Sequence, residues 1–560
     1  MSDINTDLKS IIEYFYRWEK ETPDNVFLRQ PYGDTWKEWT YAQAGKDMRR
    51  MATALQNTGL PKGSHIGLIS KNCAHWIIAD FAIIMAGYVS VPFYANLTAD
   101  QLGEVVRLGD VETIFVGKLD HWDEQKDDVL KDLKVMRFPH YEGNAKINIG
   151  TPWDDLIANN EPMEESYVPP LDNLWTILFT SGTTGTPKGV MHNFSSSAYV
   201  LRNQEINNDF SLTGSNQQRF FSFLPLNHIA ERVVIEIGGM LSGGSISFAE
   251  SLDSFVKNLQ DTSPTVFFAV PRIWTKFHLG VLAKMPQEKL DRLLGIPIIG
   301  GLVKKKILKG LGLSQVQTAL TGAALTPEPL KQWYRRLGIN LREAYGLTEN
   351  MGSFCAMPEN DYQPNSVGKP LGFSEGRIDP DTGELQIKQP WIMEGYYKAP
   401  ELSEKVLKDG WFHTGDKGEI DERGFVKIIG RVGDTFKTTK GEFIIPTNIE
   451  DHFNQNEMLE QVCVLGIGLT QPVILGVLSE IGQAADKAEV TKRLEANLSE
   501  ANSKLQPYEK LATLIVVSEA WDVENNLMTP TLKVRRSAVM DHYRKKLSDW
   551  HDSSENVIWE

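Results

Sequence analysis

LWTILFTSGTTGTPKGVMH, residues 174–192, is the stretch from which the rest of the chain can be read. Its apolar opening, 174–180, predicts a buried strand. That strand runs into Thr180, Ser181, Gly182, Thr183, Thr184, Gly185, Thr186, Pro187, Lys188 and Gly189. The glycines let main-chain N–H groups converge on an anion without Cβ clashes, and hydroxyls and Lys188 add donors and positive charge. The spacing departs from the Walker phosphate loop. Pro187 rather than glycine precedes the lysine, and Gly189 follows where Ser or Thr is required. A plain surface loop uses the same letters, but it has no need for so many donors directly after a buried strand.

Outward from this loop, HIGLIS (65–70), TIFVG (113–117), FFSFLPL (220–226), SISFAE (245–250) and TVFFAV (265–270) are further short apolar runs. Helical patterns separate several of them, which predicts largely parallel sheets covered on both faces. WIIADFAIIMAGYVSVPFYA (76–95) is interrupted by Asp80, Gly87 and Pro92 and reads as a helix followed by a strand, not a membrane span. Leu8, Ile11, Ile12 and Phe15 sit at helical spacing on an amphipathic N-terminal helix whose charges disfavour an export signal. Beyond residue 380, GELQIKQ, GEIDERG and FVKIIGR are short, alternating and turn-rich, as in antiparallel sheet. A second compact pattern follows Arg431: strands near 461–468, 472–480 and 511–519, and a helix near 487–505.

The expected fold is α/β. A large N-terminal domain (1–430) has mostly parallel sheets flanked by helices and a small β-barrel-like subdomain. A hinge at 431–435 leads to a small mobile α+β domain (436–560). The 560 residues are 41% hydrophobic and 23% charged, which suits large buried cores. Lys and Arg number 58 against 73 Asp and Glu, a net charge of −15 that argues against nucleic-acid binding. Cys73, Cys355 and Cys463 lie too far apart for a disulfide framework or a CxxC metal knuckle and suit a reducing, cytoplasmic setting.

The loop resembles the signature of the adenylate-forming superfamily, which holds acyl-CoA synthetases, luciferases and peptide-synthetase adenylation domains. The likeness extends from about residue 60 to about residue 540. It implies that Thr180, Ser181, Gly182, Thr183, Thr184, Gly185 and Lys188 hold the phosphates of ATP. In EAYGLTEN (343–350), it implies that Tyr345 and Gly346 lie against adenine, Thr348 contacts the α-phosphate, and Glu349 helps hold Mg²⁺. A carboxylate near a triphosphate is tolerable only with a cation between them. Gly322, Ala323 and Ala324 in LTGAAL (320–325) match the segment whose backbone lies on adenine, and a packed strand end reads equally well there.

In GWFHTGDKGEIDERGFVKIIGR (410–431), Asp416 is implied to take the ribose hydroxyls with Arg431 assisting. In TPTLKVRR (529–536), Lys533 is the implied mobile catalytic lysine, bridging carboxylate and α-phosphate as two anions approach. Many relatives carry Ser-Gly-Lys at that point, whereas this chain has Thr531, Leu532 and Lys533, a variant resembling long-chain acyl-CoA synthetases. Lys437 and Gly441 in FKTTKGEFIIP (436–446) are implied to line a thiol tunnel after the small domain rotates. Many relatives have Lys or Asp at the hinge position that Gly433 occupies here.

FLPLNHIAERV (223–233) and FAVPRIW (268–274) also resemble long-chain synthetases. His228 is implied to border and gate the acyl pocket, and a backbone-capped helix-start histidine reads equally well. Phe267, Phe268, Ile273 and Trp274 read either as tunnel wall or as ordinary core. Residues 293–312 read better as a helix with a solvated lysine face than as one grazing an anionic membrane.

The implied reaction couples a fatty acid, ATP with Mg²⁺, and coenzyme A through an acyl-adenylate. Three alternatives stay open: a medium-chain or aryl acid, transfer to a carrier protein, and a non-catalytic nucleotide-binding scaffold. A homodimer and a peripheral contact at the inner membrane face also stay open.

Overall fold

The computed structural model describes residues 3–126, 128–181, 187–213, 218–453, 456–529 and 533–560. The chain divides into two units. The first comprises residues 1–180, 187–375 and 387–412, and the second 181–186, 376–386 and 413–560.

The first unit is built on two large sheets. One has the spatial order Gly395–Tyr396, Pro187–Asn193, Leu174–Ser181, Val89–Phe93, His65–Ile69, Val111–Val116, Lys134–Arg137, Thr151–Pro152. From Leu174–Ser181 to Thr151–Pro152 its strands pair in parallel. Gly395–Tyr396 closes the edge antiparallel to Pro187–Asn193. The other sheet has a parallel centre formed by Leu341–Tyr345, Thr318–Thr321, Val266–Ala269, Arg219–Ser222, Ser245–Phe248 and Val26–Tyr32.

Helix Ala74–Ala86 is buried at every residue. Apart from His75 and Asp80 it is apolar all round, so it is stable only with neighbours on all sides. Gly87 ends it in the left-handed conformation, φ +82°, and the strand Val89–Phe93 follows. Its 13 residues are too few to span a bilayer, and among the described residues no helix is long and apolar enough to do so.

The run expected as a strand over 220–226 leaves the sheet at Ser222. Pro225 has no N–H to offer, and the flanking backbone is taken by side chains. Phe223 N–H donates to Glu231 (3.0 Å), and Asn72 Nδ2 donates to the Leu224 carbonyl (2.6 Å).

The second unit holds the antiparallel strand pair within Trp411–Ile420 and Val426–Arg431, where Asp416 faces Arg431. It also holds a mixed sheet ordered Leu459–Leu465, Val473–Leu478, Leu514–Val516, Val557–Trp559. Val490, Leu494 and Leu498 of helix Lys487–Lys504 recur at i and i+4 and pack into one core of this unit. All three cysteines are free and buried.

Candidate active site

Lys188 opens the strand Pro187–Asn193, and His192 lies four residues on in the same strand. The Lys188 ammonium sits 5.4 Å from the centroid of the Tyr396 ring, within cation–π range. Tyr396 reaches that place because Gly395–Tyr396 pairs with Met191 and Val190. Its hydroxyl donates to Glu349 Oε1 (2.8 Å), and Met393 N–H donates to the Glu349 carbonyl (2.8 Å). Lys188, Tyr396 and Glu349 therefore form one continuous polar line at a sheet edge.

The loop carrying Glu349 is closed by its own backbone. Gly352 N–H bonds the Leu347 carbonyl (2.8 Å), and Phe354 N–H bonds that of Tyr345 (2.9 Å). A Cβ on Gly346 would lie 2.1 Å from the Gly352 carbonyl carbon, so only glycine fits. Asn350 Oδ1 accepts from Leu347 N–H (2.7 Å). His192 Nε2 lies 2.7 Å from the Thr348 carbonyl, which fixes the Nε2–H tautomer. Burial pushes the His192 pKa down to about 4, against the Thr348 hydrogen bond, and Arg232 adds repulsion. His192 is therefore a neutral donor holding the Thr348 backbone in place.

The segment 322–324 is shaped by close approach. A Cβ on Gly322 would meet the Ala344 carbonyl oxygen at 2.8 Å. Ala323 is held at φ +65°, a strained conformation of the kind that gathers at functional sites. The Thr321 and Thr326 hydroxyls bond each other (2.8 Å), and Thr326 N–H bonds Glu343 (2.8 Å). Glu343 also pairs with the buried Lys331 (2.6 Å), so this carboxylate has a structural partner. Tyr345 is half-buried, its ring 6.4 Å from that of Phe354 and edge-on to it.

Several expected residues lie elsewhere. Thr180 and Ser181 end the strand Leu174–Ser181. Gly182, Thr183, Thr184 and Gly185 lie outside the described residues. His228 Nδ1 accepts from Ala230 N–H (3.2 Å) and caps a short helix. Phe267 and Trp274 belong to a packed aromatic core with Phe277 and Phe223. Phe268 faces the other way, 3.6 Å from where a Gly322 Cβ would stand.

In the second unit, Arg431 Nε bonds Asp416 Oδ1 (2.8 Å), and Asp416 is the buried partner. Lys533 is held through its backbone. Its N–H bonds Thr529 Oγ1 (3.1 Å), and its carbonyl accepts from Thr529 N–H (2.8 Å). Pro530, Thr531 and Leu532 lie outside the described residues. The Lys533 side chain is exposed. Three residues along, Arg536 forks onto Glu450 (2.6 and 3.0 Å) and donates to the Val464 carbonyl (2.7 Å). That fork fixes the start of the helix after Lys533. Lys437 lies over the Phe443 ring (4.5 Å), and Gly441 takes φ +84° in the turn joining their strands.

Sequence reasoning missed His192, Tyr396 and Arg536. His192 carried one signal, its place in the strand that leaves the loop. Tyr396 and Arg536 carried none, because their partners are distant in sequence.

Among the described residues no group of three or more His, Cys, Asp or Glu is arranged to hold a metal ion. Glu349 thus stands as a single carboxylate. That donor set fits Mg²⁺ arriving on ATP, which binds through one or two carboxylates plus substrate phosphates.

Comparison with known proteins agrees with this geometry. Residues 15–397 match the AMP-binding enzyme family, and residues 433–555 match the AMP-binding enzyme C-terminal domain. The chain belongs to the AMP-binding enzyme family, the adenylate-forming acyl- and aryl-CoA ligases. It is 28% identical to long chain acyl-CoA synthetase 2 of Arabidopsis thaliana, over 97% of this chain and 92% of that protein. It is 24% identical to the long-chain-fatty-acid–CoA ligase FadD15 of Mycobacterium bovis, over 94% of each. Among solved structures, the anthranilate CoA ligase AuaEII in complex with anthranoyl-AMP shares the fold. The TM-score is 0.79 at 19% identity, covering 98% of this chain and all of that one.

One prediction concerns acid. His192 and His75 are buried neutral, with pKa values pushed down by burial to about 4 and about 3. The unfolded chain takes up these protons near pH 6.5, well before the folded chain does. Stability is therefore full above about pH 6.5 and falls below it, by about 1.4 kcal/mol per pH unit for each histidine. Denaturant titrations of wild type and His192→Gln between pH 6.5 and 4.5 measure this. The variant should lose about one proton's worth of slope, and an unchanged slope would show that His192 is already charged in the folded state.

Proposed function

We propose that the chain is an AMP-forming fatty acid–CoA ligase that prefers long straight-chain acids. The observation that carries the activity is the line Lys188–Tyr396–Glu349, with Thr348 held from behind by His192. This line sets one cation and one carboxylate on either side of a phenol, a layout suited to magnesium-bound triphosphate.

In this reading the loop 180–188 and Lys188 bind the phosphates. Gly322, Ala323, Ala324, Tyr345 and Gly346 receive adenine, and Asp416 with Arg431 receives ribose. Thr348 donates to the α-phosphate. The carboxylate attacks the α-phosphorus, pyrophosphate leaves, and AMP becomes the leaving group of a mixed anhydride. The thiol of coenzyme A then attacks the acyl carbon and AMP departs. Lys533 offsets charge in the first step. Residues 436–560 form a domain that rotates about 431–435 between the steps and brings Lys437 and Gly441 to the thiol side. His228 borders the acyl chain.

Long-chain preference is supported by the full-length likeness to long-chain synthetases. Pyrophosphate release, measured from butyrate to stearate with and without coenzyme A, tests it. Each methylene buried in an apolar channel contributes about 0.8 kcal/mol, close to fourfold. kcat/KM should therefore climb steeply toward the long acids, with acyl-CoA formed only when the thiol is present. Equal or better use of benzoate or anthranilate would overturn the chain-length reading. No acid-dependent pyrophosphate from any acid would overturn the activity.

A further inference from the structure

Residues 293–312, LLGIPIIGGLVKKKILKGLG, take no part in the site described above. Two helices, Gln287–Leu294 and Ile299–Gly310, flank a turn centred on Ile298. Ile298 has φ +70° and ψ −53°, and Ile299 N–H bonds the Pro297 carbonyl (2.8 Å). This is a γ-turn of the strained hand, with a β-branched residue where such residues are outliers. It thrusts Ile298 outward at 84% exposure, beside Leu302 at 64% and the exposed Ile296 and Ile299. Burial would normally claim four such aliphatic side chains at one tip.

The helix Ile299–Gly310 has two unlike faces. Val303 and Ile307, one turn apart, pack onto the aromatic core containing Phe223, Phe267, Trp274 and Phe277. Leu302, Lys305, Lys306 and Lys309 recur at i, i+3, i+4 and i+7, so the exposed leucine and three lysines share one face. The charge balance is also local. Between Asp291 and Glu328 there is no acidic residue, while Arg292, Lys304, Lys305, Lys306 and Lys309 supply five cations. Asp291 itself is paired with Arg336 (2.8 Å). The chain as a whole carries −15, so an anionic surface repels the molecule except where this segment faces it.

We propose that this tip and its lysine face dock the protein on an anionic lipid bilayer. Ile296, Ile298, Ile299 and Leu302 enter the boundary between headgroups and acyl chains. Lys305, Lys306 and Lys309 lie against lipid phosphates. Apolar insertion and cation attraction act together, as in interfacial helices, and each cation near the surface contributes about fivefold to partitioning. The inward face holds the helix against the body of the unit through Val303 and Ile307. The proposal does not depend on which acid is activated.

The test is sedimentation of the full chain with large unilamellar vesicles, of phosphatidylcholine alone and of phosphatidylcholine with one-third phosphatidylglycerol. Binding to the anionic vesicles should exceed binding to the neutral ones by about tenfold or more, and high salt should remove most of it. Ile298→Asp with Leu302→Asp, and separately Lys305→Glu with Lys306→Glu, should each lower partitioning by about tenfold or more. Their thermal midpoints should stay at the wild-type value, since the altered side chains are exposed. Binding that ignores lipid charge, or variants that bind like wild type, would overturn the proposal. So would a wild-type dimer abolished by Ile298→Asp with no vesicle binding, which would assign the face to a second copy of this chain.

Discussion

Lys533→Ala should lower acid-dependent exchange of pyrophosphate into ATP by about a thousandfold, the scale of losing a preorganised charge at a developing anion. Conversion of supplied acyl-adenylate and coenzyme A to thioester should stay within a few fold of wild type. The split follows from what the ammonium is asked to do. Two anions, a carboxylate and an α-phosphate, must approach in the first half-reaction, and only there does a cation between them lower the barrier. In the second half-reaction the electrophile is a neutral carbonyl and AMP is the leaving group. Lys533 also carries a pH signature, because an ammonium can lose its proton in the working range and a guanidinium cannot. A lysine acts only while protonated, so adenylation should fall as pH rises through the pKa of that ammonium. Lys533→Arg, permanently charged, should lose this alkaline limb even if its rate is poor. Equal losses in both half-reactions of Lys533→Ala would sink the assignment.

The second large effect is on stability. Arg232 is fully buried beneath the loop strand, with Nη2 bonded to Asp80 (2.5 Å), Nε to Glu236 (2.8 Å) and Nη1 to Thr176 (2.8 Å). Its guanidinium lies 4.3 Å from the Trp175 ring centroid. Thr176 and Trp175 belong to the strand Leu174–Ser181, so this network anchors the strand that leads to the proposed phosphate-binding residues. Burial pushes the Glu236 carboxyl up, and the Arg232 guanidinium opposes that shift. Arg232→Leu would strand the Asp80 carboxylate in the core without its cation, leaving the Ser90 hydroxyl and the Glu236 carboxyl beside it. Leaving one buried charge unpaired costs about 3–5 kcal/mol. Urea unfolding should show that loss, and Asp80→Asn in the same chain should recover a large part of it by removing the stranded charge. A single variant within about 1 kcal/mol of wild type would mean that water or a rearranged side chain reaches Asp80.

Both predictions join residues that the sequence presents very differently. Lys533 sits in a motif whose letters resemble a family signature, so the role proposed for it can be read from the chain alone. Arg232 lies in FLPLNHIAERV, which pointed instead to His228, and nothing local marks Arg232 as buried. His192 and Tyr396 are of the same kind. One imidazole and one phenol carry no spacing rule, and their partners Thr348 and Glu349 lie 156 and 47 residues away. Residues 293–312 show the converse. Their alternation of apolar and basic letters fits a solvated helix, and only the backbone at Ile298 reveals which aliphatic groups face outward.

The sequence by itself determined the alternation of buried strands and helices and the family of the chain. These rest on periodicity and on motifs in which neighbouring residues act together. The tertiary structure alone decided which histidine braces Thr348, which tyrosine holds Glu349 and which arginine neutralises Asp80. A side chain's chemistry names the kinds of partner it accepts. Its actual partner is selected by strand pairing and burial, which bring distant segments together and set the charge each group can keep.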